Sequence, residues 1–557
     1  RALHTSDELH LDAGDIAGLS RIDVDQFYGI EIDEFPALIA QVAMWMMDHI
    51  MNNRLSLQFG TVFARIPLKA TPHVTHADAL EIEWSDVLAP EKCSFIMGNP
   101  PFVGAKMQTE KQRAQVRDIA NLGGSGGTLD FVSAWFLKAG EYLRTSHARV
   151  GFVATNSITQ GEQVAQLWPL LFDKYALEIT FAHRTFAWGS DARGMAHVHV
   201  VIIGLARHGE EPAEKRLFAY DNGPDNVTEA RYRILSPYLF DASALANPHL
   251  VVRETSQALG GAPKIVIGTK PIDGGYYIFD ANERAEFLRN EPDAEPLLHP
   301  FVGSEEYING SERWILVLDG VQPERLRALP EVYKRVQLVR RYRLGEVAAK
   351  GKTVEVVKQP GISSRQLADT PTRFHVTVIP TEPFLCVPEV SSERREYIPI
   401  GWLEPPTIPS NKLRAILHAE AWQFGILTSR MHMAWTKFVG GRLESRYQYS
   451  IGINYNPFPW PVVTDSGRVK LDKLAQSVLD ARLRHSQSTL ADLYDPVAMP
   501  TDLRKAHAAL DRAVDTLYRP QPFDSDRSRV EHLFGLYETM TQGLFATPTR
   551  RRPRAPR

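Results

Sequence analysis

Cysteine is nearly absent from this chain of 557 residues, which contains only Cys93 and Cys386. Two cysteines exclude a disulfide framework and a four-thiolate zinc site, and they favour a reducing compartment, so we expect a cytoplasmic protein. An excess of charge of one sign is also lacking, because 63 Lys+Arg nearly balance 66 Asp+Glu. The net charge of −3 excludes nothing about nucleic acid, since a whole-chain sum averages over any basic face.

Long apolar runs are lacking as well. The longest, Pro36–Met51, has about 16 residues and falls short of the roughly 20 that span a bilayer. We therefore interpret it as a buried helix of an α/β domain. The chain opens with Arg1-Ala2-Leu3, without an initiator Met or a signal-peptide pattern, which leads us to expect a piece of a longer polypeptide.

Short β-like runs alternate with helical stretches through residues 1–208. This alternation predicts a mostly parallel, doubly wound sheet that is closed by a hairpin. The predicted strands are Gln26–Ile32, Cys93–Met97, Arg149–Thr155, Leu177–His183 and His197–Leu205. The predicted helices are Pro36–Met51, Leu129–Arg144 and Gln163–Asp173.

The texture of the sequence changes after residue 208, which predicts several domains. A region rich in Pro, Gly and aromatic residues is followed by a helical region and then by a tail with five Arg and no acid. We expect an α/β domain over 1–208, a connector over 209–265, a mixed domain over 266–462, a helical domain over 463–546 and a basic, disordered tail over 547–557.

The tetrapeptide Asn99-Pro100-Pro101-Phe102 follows a predicted strand, where an open α/β sheet presents its ligand crevice. A Pro-Pro pair that merely ends a strand, with Phe102 in the core, is an equally good interpretation of an arbitrary Asn-Pro-Pro. The residue types nevertheless suit one chemistry. The Asn99 carboxamide oxygen and the Pro100 carbonyl can both accept hydrogen bonds from one amine, and Phe102 offers a face on which a base can stack.

The tetrapeptide resembles the motif of amino-methyltransferases that use S-adenosylmethionine, whose N6-adenine members carry Asn-Pro-Pro-Phe/Tyr. The resemblance extends upstream in register. It implies that Glu31, in Phe27–Asp33, holds the ribose hydroxyls of the cofactor, and that Asp78 lies near the cofactor's adenine. Alone, an Asp after a strand is more often a helix cap or a solvated residue.

Downstream, the same resemblance places Phe186 as a second aromatic against an extruded base, with Trp188 as the fallback. A role in packing the final hairpin is about equally good for either residue. Asn156 follows the strand Arg149–Thr155, as a pocket wall or a plain turn residue.

The glycine-rich stretch Leu122–Thr128 is interpreted as a mobile active-site loop, because it lacks the spacing of a phosphate loop. The cofactor's own glycine motif is expected upstream of Glu31, and residues 1–25 carry only Gly14 and Gly18, in no such arrangement. Methylation of cytosine at C5 needs a nucleophilic thiolate, typically after a Pro, and neither cysteine follows a Pro. No metal-ligand spacing is present either, so we expect no metal.

A basic cluster lies in the mixed domain, at Lys334, Arg335, Arg340, Arg341 and Arg343. Such a run is usually a solvated face. Beside a methyltransferase core, contact with DNA phosphates becomes the better interpretation.

Two further stretches combine Arg with Glu, Ser and Tyr: Ser391–Tyr397, with Arg394, and Gly440–Tyr447, with Arg442. Glu444 and Arg446 are two residues apart, so on an extended segment both point to one side. Arg can bind guanine and Glu can accept from cytosine, so the pair can read one G·C pair; the alternative is an ion pair on a sheet surface.

The whole arrangement closely resembles MmeI-like (type IIL) restriction–modification proteins. The likeness covers nearly all of the chain and is carried by Phe27–Asp33, Asn99–Gln108, Ser391–Gly401, Ile416–Trp435 and Gly441–Pro461. It implies a Rossmann-like methyltransferase core that is truncated at its N-terminus, an α+β target-recognition domain and a small helical domain. Positions matching Glu444 and Arg446 lie in the family's base-reading region. The family's nuclease and spacer, and the cofactor's glycine motif, are not found, so we expect them upstream.

These features predict a sequence-specific N6-adenine DNA methyltransferase that uses S-adenosylmethionine and binds double-stranded DNA. Two alternatives stay open. The chain can be a DNA-binding specificity fragment without activity, or it can methylate protein glutamine, whose enzymes also use Asn-Pro-Pro.

Overall fold

A computed structural model describes residues 22–59, 71–123, 128–188, 198–220, 226–352 and 360–542. The chain divides into two compact units. The first comprises residues 1–158, 166–190 and 200–232, and the second comprises 159–165, 191–199 and 233–557. Within the described ranges, no helix is long and apolar enough to span a bilayer. The predicted tail and Gly124–Gly127 of the glycine-rich stretch lie outside these ranges.

The first unit is an α/β domain, as the sequence predicts. Its strands are β1 Tyr28–Glu31, β2 His73–His76, β3 Phe95–Gly98, β4 Arg149–Thr155, β5 Leu177–Trp188, β6 Val198–Arg207, β7 Lys215–Ala219 and β8 Thr228–Tyr232. Its α-helices are α1 Glu34–Phe59, α2 Trp84–Val87, α3 Glu110–Ala120, α4 Ser133–Tyr142 and α5 Val164–Pro169.

The described strands form two sheets, where the sequence predicts one. β1 and β2 pair in parallel, and the larger sheet has the order β3-β4-β6-β5-β7-β8. β3 pairs with β4 in parallel, whereas β6 runs antiparallel to β4. β7 and β8 continue this sheet to Tyr232, beyond the boundary that the sequence places at residue 208.

The helix predicted at Pro36–Met51 exists, but its predicted burial is wrong. α1 covers 26 residues, and its apolar side chains are largely exposed; Phe35, for example, is 72% exposed and Met46 61%. Ala37 is buried. In the described part of the chain, α1 packs on β1 and β2, and so small a sheet covers only one side of a helix.

The second unit combines short strands with helices and ends in a helical region, again as predicted. Its strands are β9 Ile265–Ile267, β10 Ile278–Phe279, β11 Leu298–Val302, β12 Trp314–Leu316, β13 Phe384–Pro388, β14 Val390–Ser391, β15 Gly401–Leu403, β16 Ile408–Pro409, β17 Leu413–Leu417, β18 Arg442–Leu443 and β19 Arg446–Gln448. Its α-helices are α6 Ala281–Asn290, α7 Ser304–Asn309, α8 Pro323–Arg327, α9 Pro330–Leu344, α10 Ile362–Gln366, α11 Ala421–Leu427, α12 Arg430–Val439, α13 Asp465–Leu483, α14 Leu490–Leu493, α15 Thr501–Tyr518 and α16 Asp526–Thr541.

The basic cluster predicted to contact phosphates lies on α9, and part of it serves the fold instead. Arg343 is fully buried and donates hydrogen bonds to five backbone carbonyls, those of Pro271, Ile272, Leu367, Thr370 and Arg373. Arg335 lies over the ring of Phe279 at 4.0 Å. Burial lowers the pKa of both guanidinium groups. Lys334, Arg340 and Arg341 remain exposed.

Replacement of Arg343 by Lys removes the planar fork that satisfies these carbonyls, and an ammonium cannot reach all five. We expect the free energy of unfolding to fall by about 3 kcal/mol, because buried acceptors lose their partners. Urea denaturation followed by circular dichroism measures the change. Arg340→Lys, on the exposed side of the same helix, is the matched control, and equal stability of the two variants would contradict this assignment.

Candidate functional site

The tetrapeptide Asn99–Phe102 directly follows β3, at the carboxyl end of a strand that pairs in parallel with β4. Gly98 lies opposite Phe152, so the tetrapeptide begins beside the last residues of β4. Asn99 is exposed, Pro100 is buried and Phe102 is half-buried. The carboxamide is therefore accessible to a ligand, while the backbone that carries it is anchored at Pro100.

Asp130 ties the loop after the tetrapeptide to the end of β4. Its Oδ1 accepts a hydrogen bond from the backbone N–H of Ala105 at 3.2 Å. Its Oδ2 accepts from the Thr155 hydroxyl at 3.0 Å and from the Ser157 hydroxyl. Asp130 is only 7% exposed. A buried carboxylate needs such donors, so these bonds and the conformation of the loop depend on one another.

Further bonds hold the same loop. The N–H of Phe131 donates to the Val103 carbonyl at 3.0 Å, and the Gln108 side chain donates to the Leu129 carbonyl at 2.8 Å. The Arg113 guanidinium donates to the Ala105 carbonyl at 3.2 Å. Residues 103–108 are thus hydrogen-bonded to the segment before α4 and to α3. These bonds fix the conformation of the chain directly after the tetrapeptide.

Glu31 is the last residue of β1 and pairs with His76, the last residue of the parallel strand β2. Asp78 follows β2 by two residues, so both carboxylates lie at the same edge of this sheet. Glu31 Oε1 accepts from the N–H groups of Ile32 and Asp33, at 3.0 and 3.3 Å. These bonds orient the carboxylate and leave its second oxygen for a ligand hydroxyl, which fits the role that the sequence assigns to Glu31.

Both carboxylate oxygens of Asp78 accept hydrogen bonds within the protein. Its two oxygens accept from the N–H of Leu80 and from the Gln115 amide, both at 2.9 Å. Gln115 belongs to α3, so Asp78 connects the end of β2 to the helix that follows the tetrapeptide loop. Each carboxylate oxygen can accept a second bond, and the position is thus compatible with a role at the cofactor.

Phe186 lies on β5 in a cluster of rings. Its ring centroid is 4.8 Å from that of Tyr220 and 6.4 Å from that of His183. Burial lowers the pKa of His183, with a smaller contribution from the charge of Arg216. These contacts match the packing role that the sequence left open for Phe186; the side chain of Trp188 lies outside the described residues.

Burial disfavours the thiolate form of both cysteines. Cys386 is fully buried, and burial raises the pKa of its thiol to about 12. The half-buried Cys93 also has a raised pKa, chiefly through burial. In the described part of the chain, no group of three His, Cys, Asp or Glu side chains is arranged to hold a metal ion.

In the second unit, the two Arg-containing stretches of the sequence meet in one three-stranded sheet of order β14-β19-β18. Val390 pairs with Gln448 and Ser391 with Tyr447, and the Tyr447 hydroxyl donates to the Glu393 carbonyl. Arg394 is exposed and lies 3.7 Å from Asp495. Residues predicted to face DNA from distant parts of the sequence therefore lie on a common structure.

The β18–β19 hairpin presents Glu444 and Arg446 at its tip, in the surface ion pair that the sequence left open as the alternative to base reading. Glu444 has a φ of +59° and lies in the turn, so Glu444 and Arg446 do not lie on one extended segment. Their side chains form an ion pair at 2.7 Å and are 77% and 45% exposed. A non-glycine residue in the left-handed region costs about 1–3 kcal/mol, and the surrounding contacts must hold it.

Arg442 differs from these two residues. Its Nε donates to Gln160 Oε1 at 3.3 Å, and its two terminal nitrogens donate to the carbonyls of Ser445 and Lys437, both at 3.2 Å. It also lies over the Tyr447 ring at 4.0 Å. Burial is the main reason that the pKa of Arg442 is lowered. The guanidinium is engaged by the protein itself, whereas the sequence predicts that it reads DNA.

Known proteins share this arrangement. The type IIL restriction–modification enzyme MmeI, solved in complex with DNA, is 42% identical to this chain, with a TM-score of 0.84 over 97% of this chain and 69% of that chain. This chain belongs to the MmeI family. Family models match the MmeI DNA-methyltransferase domain at residues 3–219, its target recognition domain at 246–462 and its C-terminal domain at 463–545.

A curated relative of the MmeI-family chain is DNA methyltransferase A of Bacillus subtilis (strain 168), which is 34% identical over 532 residues. The alignment covers 95% of this chain and 58% of that protein, so the chain spans little more than half the length of this relative.

Two functional candidates of this MmeI-family chain were missed by the sequence reasoning. Asp130 follows Leu129 in an apolar run and lacks a motif of its own; its one signal is its position soon after the glycine-rich stretch. Gln160 has no sequence signal at all, because its partner Arg442 is 282 residues away.

Replacement of Asp130 by Ala leaves the Ala105 N–H and two hydroxyls without their shared acceptor, so we expect the loop at residues 103–108 to open more often. At about 2 kcal/mol of lost local stability, amide exchange there becomes roughly 30-fold faster. Hydrogen–deuterium exchange read by mass spectrometry measures it. Asp86→Ala, at an exposed position of the same unit, is the control; unchanged exchange in Asp130→Ala contradicts the role of this carboxylate.

Proposed function

We propose that this protein is a sequence-specific DNA methyltransferase that methylates N6 of adenine with S-adenosylmethionine, as part of a restriction–modification protein. The observation that carries the proposal is the accessible Asn99 carboxamide, which follows a strand end in a loop that Asp130 holds. The likeness to MmeI and to the Bacillus DNA methyltransferase supports DNA as the substrate.

In the proposed reaction, the target adenine leaves the DNA stack and its ring lies against Phe102. The Asn99 carboxamide oxygen and the Pro100 carbonyl accept the two hydrogens of the N6 amine. These bonds direct the nitrogen lone pair toward the methyl donor and away from the ring. Phe186 is the second candidate for stacking on the base.

S-adenosylmethionine, when bound, supplies an electrophilic methyl group, so the chain needs no covalent intermediate of its own. Glu31 would hold the ribose hydroxyls through its free oxygen, and Asp78 would lie by the adenine of the cofactor. On transfer, the bond between the methyl carbon and the sulfonium sulfur would break as the amine nitrogen takes the methyl group, and the thioether S-adenosylhomocysteine would leave. The nitrogen would lose one proton to solvent, which reaches this position because the Asn99 side chain is exposed.

Sequence recognition is assigned to the second unit. Glu444 and Arg446 exchange their mutual ion pair for the edges of one G·C pair, with Glu accepting from cytosine N4 and Arg donating to guanine O6 and N7. Arg394, which is exposed in the turn that follows β14, contacts the DNA backbone.

Asn99→Ala removes one of the two amine acceptors, and we expect N6-methyladenine to fall at least 100-fold, while DNA binding changes less than twofold. Mass spectrometry of nucleosides from cells expressing the protein measures the product, and it distinguishes N6-methyladenine from methylated cytosine. The control is Asn290→Ala, at an exposed helix end. Persistent N6-methyladenine in the Asn99→Ala variant contradicts the assignment. Methylation of peptide glutamine instead of DNA would favour a protein substrate.

The second candidate is a specificity fragment that binds DNA without transferring a methyl group. The observation in its favour is the match of residues 246–462 to the target recognition domain of the family. Both candidates predict DNA binding, so binding of the cofactor separates them.

Isothermal titration of the 557-residue chain with S-adenosylmethionine is expected to show micromolar binding. Glu31→Ala should weaken that binding about tenfold through loss of a charged acceptor, and Glu34→Ala, at the exposed start of α1, should not. An absence of binding to the unchanged chain would favour the specificity fragment.

A further inference from the structure

The tip of the β18–β19 hairpin is exposed and conformationally unusual. Arg442 pairs with Tyr447 and Leu443 with Arg446, which leaves Glu444 and Ser445 to make the turn. Glu444 adopts a positive φ there. Two strands of two and three residues cannot by themselves select such a turn, so the conformation depends on what holds the base of the hairpin.

Arg442 holds that base from three directions. One nitrogen binds the Ser445 carbonyl inside the turn, a second binds the Lys437 carbonyl near the end of α12, and Nε binds the Gln160 side chain. The Tyr447 ring covers the guanidinium plane at 4.0 Å. A planar group with several fixed donors suits this task, whereas an ammonium does not.

Backbone packing holds the same base. Gly161 has a φ of +70°, and a Cβ placed on it would lie 3.0 Å from the Gly441 Cα, next to Arg442. Gln160 and Gly161 belong to the segment 159–165, which is grouped with the second unit. The segment thus touches the hairpin base twice, once through a side chain and once through a glycine that permits close approach.

We propose that Arg442, Gln160 and Gly161 are specificity-positioning residues, which hold the hairpin tip in the conformation that reads a base pair and do not themselves contact DNA. This inference rests on the proposed function. It replaces the direct DNA-reading role for Arg442 with an indirect one through Glu444 and Arg446.

Arg442→Gln and Arg442→Lys test the proposal. Selection from a randomised duplex library by the unchanged chain gives the base preference at each position, so the recognition sequence emerges from the experiment itself. We expect the base preference of both variants to fall about tenfold at a single base pair and to stay unchanged at the other positions. A bidentate contact to one base discriminates against other bases by about that factor. Arg442→Lys keeps the positive charge and serves as the second variant in case Arg442→Gln does not fold. The thermal unfolding temperature shows whether each variant is folded.

The salt dependence of binding separates positioning from phosphate contact. Each phosphate contact contributes roughly 0.9 to the slope of log Kobs against log salt. We expect Arg442→Gln to leave that slope unchanged and Arg394→Gln to reduce it. A reduced slope in Arg442→Gln would overturn the proposal, as would full base preference in both Arg442 variants.

Gly161→Ala tests the backbone contact with a matched control. Gly209 also has a positive φ, of +88°, but a Cβ there would meet nothing within 4 Å. Both substitutions strain the backbone, and only Gly161→Ala presses on Gly441. We expect a loss of preference at the same base pair in Gly161→Ala and none in Gly209→Ala. Equal preference in the two variants counts against the proposal, whereas a chain that selects no sequence at all contradicts the proposed function instead.

Discussion

The buried carboxylate of Asp130 is the interaction on which the candidate active site depends. Two rigid prolines fix the local shape of the tetrapeptide, but they do not fix its position relative to the neighbouring strand. Asp130 supplies that position, since its two oxygens bind the loop after the tetrapeptide and the end of β4 at once. In the proposed reaction two acceptors orient one amine, which works only while both stay in place. Anchoring of the loop would therefore contribute directly to the rate of that reaction.

Arginine serves two purposes in this chain, and composition does not separate them. The buried Arg343 and the half-buried Arg442 use their planar donors on backbone carbonyls, whereas Arg394 and Arg446 extend from the surface. The near-neutral total charge therefore does not show how the positive charge is divided between arginines that bond within the protein and arginines at the surface. A count of basic residues overestimates the charge that the second unit offers to phosphates.

Much of the fold followed from local patterns. β4 occupies the residues predicted, and the tetrapeptide follows its strand as expected, because strand alternation and Pro-Pro are signals within a few residues. The failures arose where distant residues decide. The burial of α1 depends on what packs against it, and the roles of Arg442 and Asp130 depend on partners that no local pattern reveals. The roles of the site residues themselves stay predictions of the motif.

The hairpin joins a fixed base to an open tip, and this has an evolutionary consequence. Substitutions at Glu444 and Arg446 remove a surface ion pair, which costs little folding free energy. A change at Arg442 breaks several bonds at once. Substitutions at the tip are thus separable from those that damage the protein, and under the proposed recognition a lineage can change its DNA target at the tip while the scaffold below it stays constant.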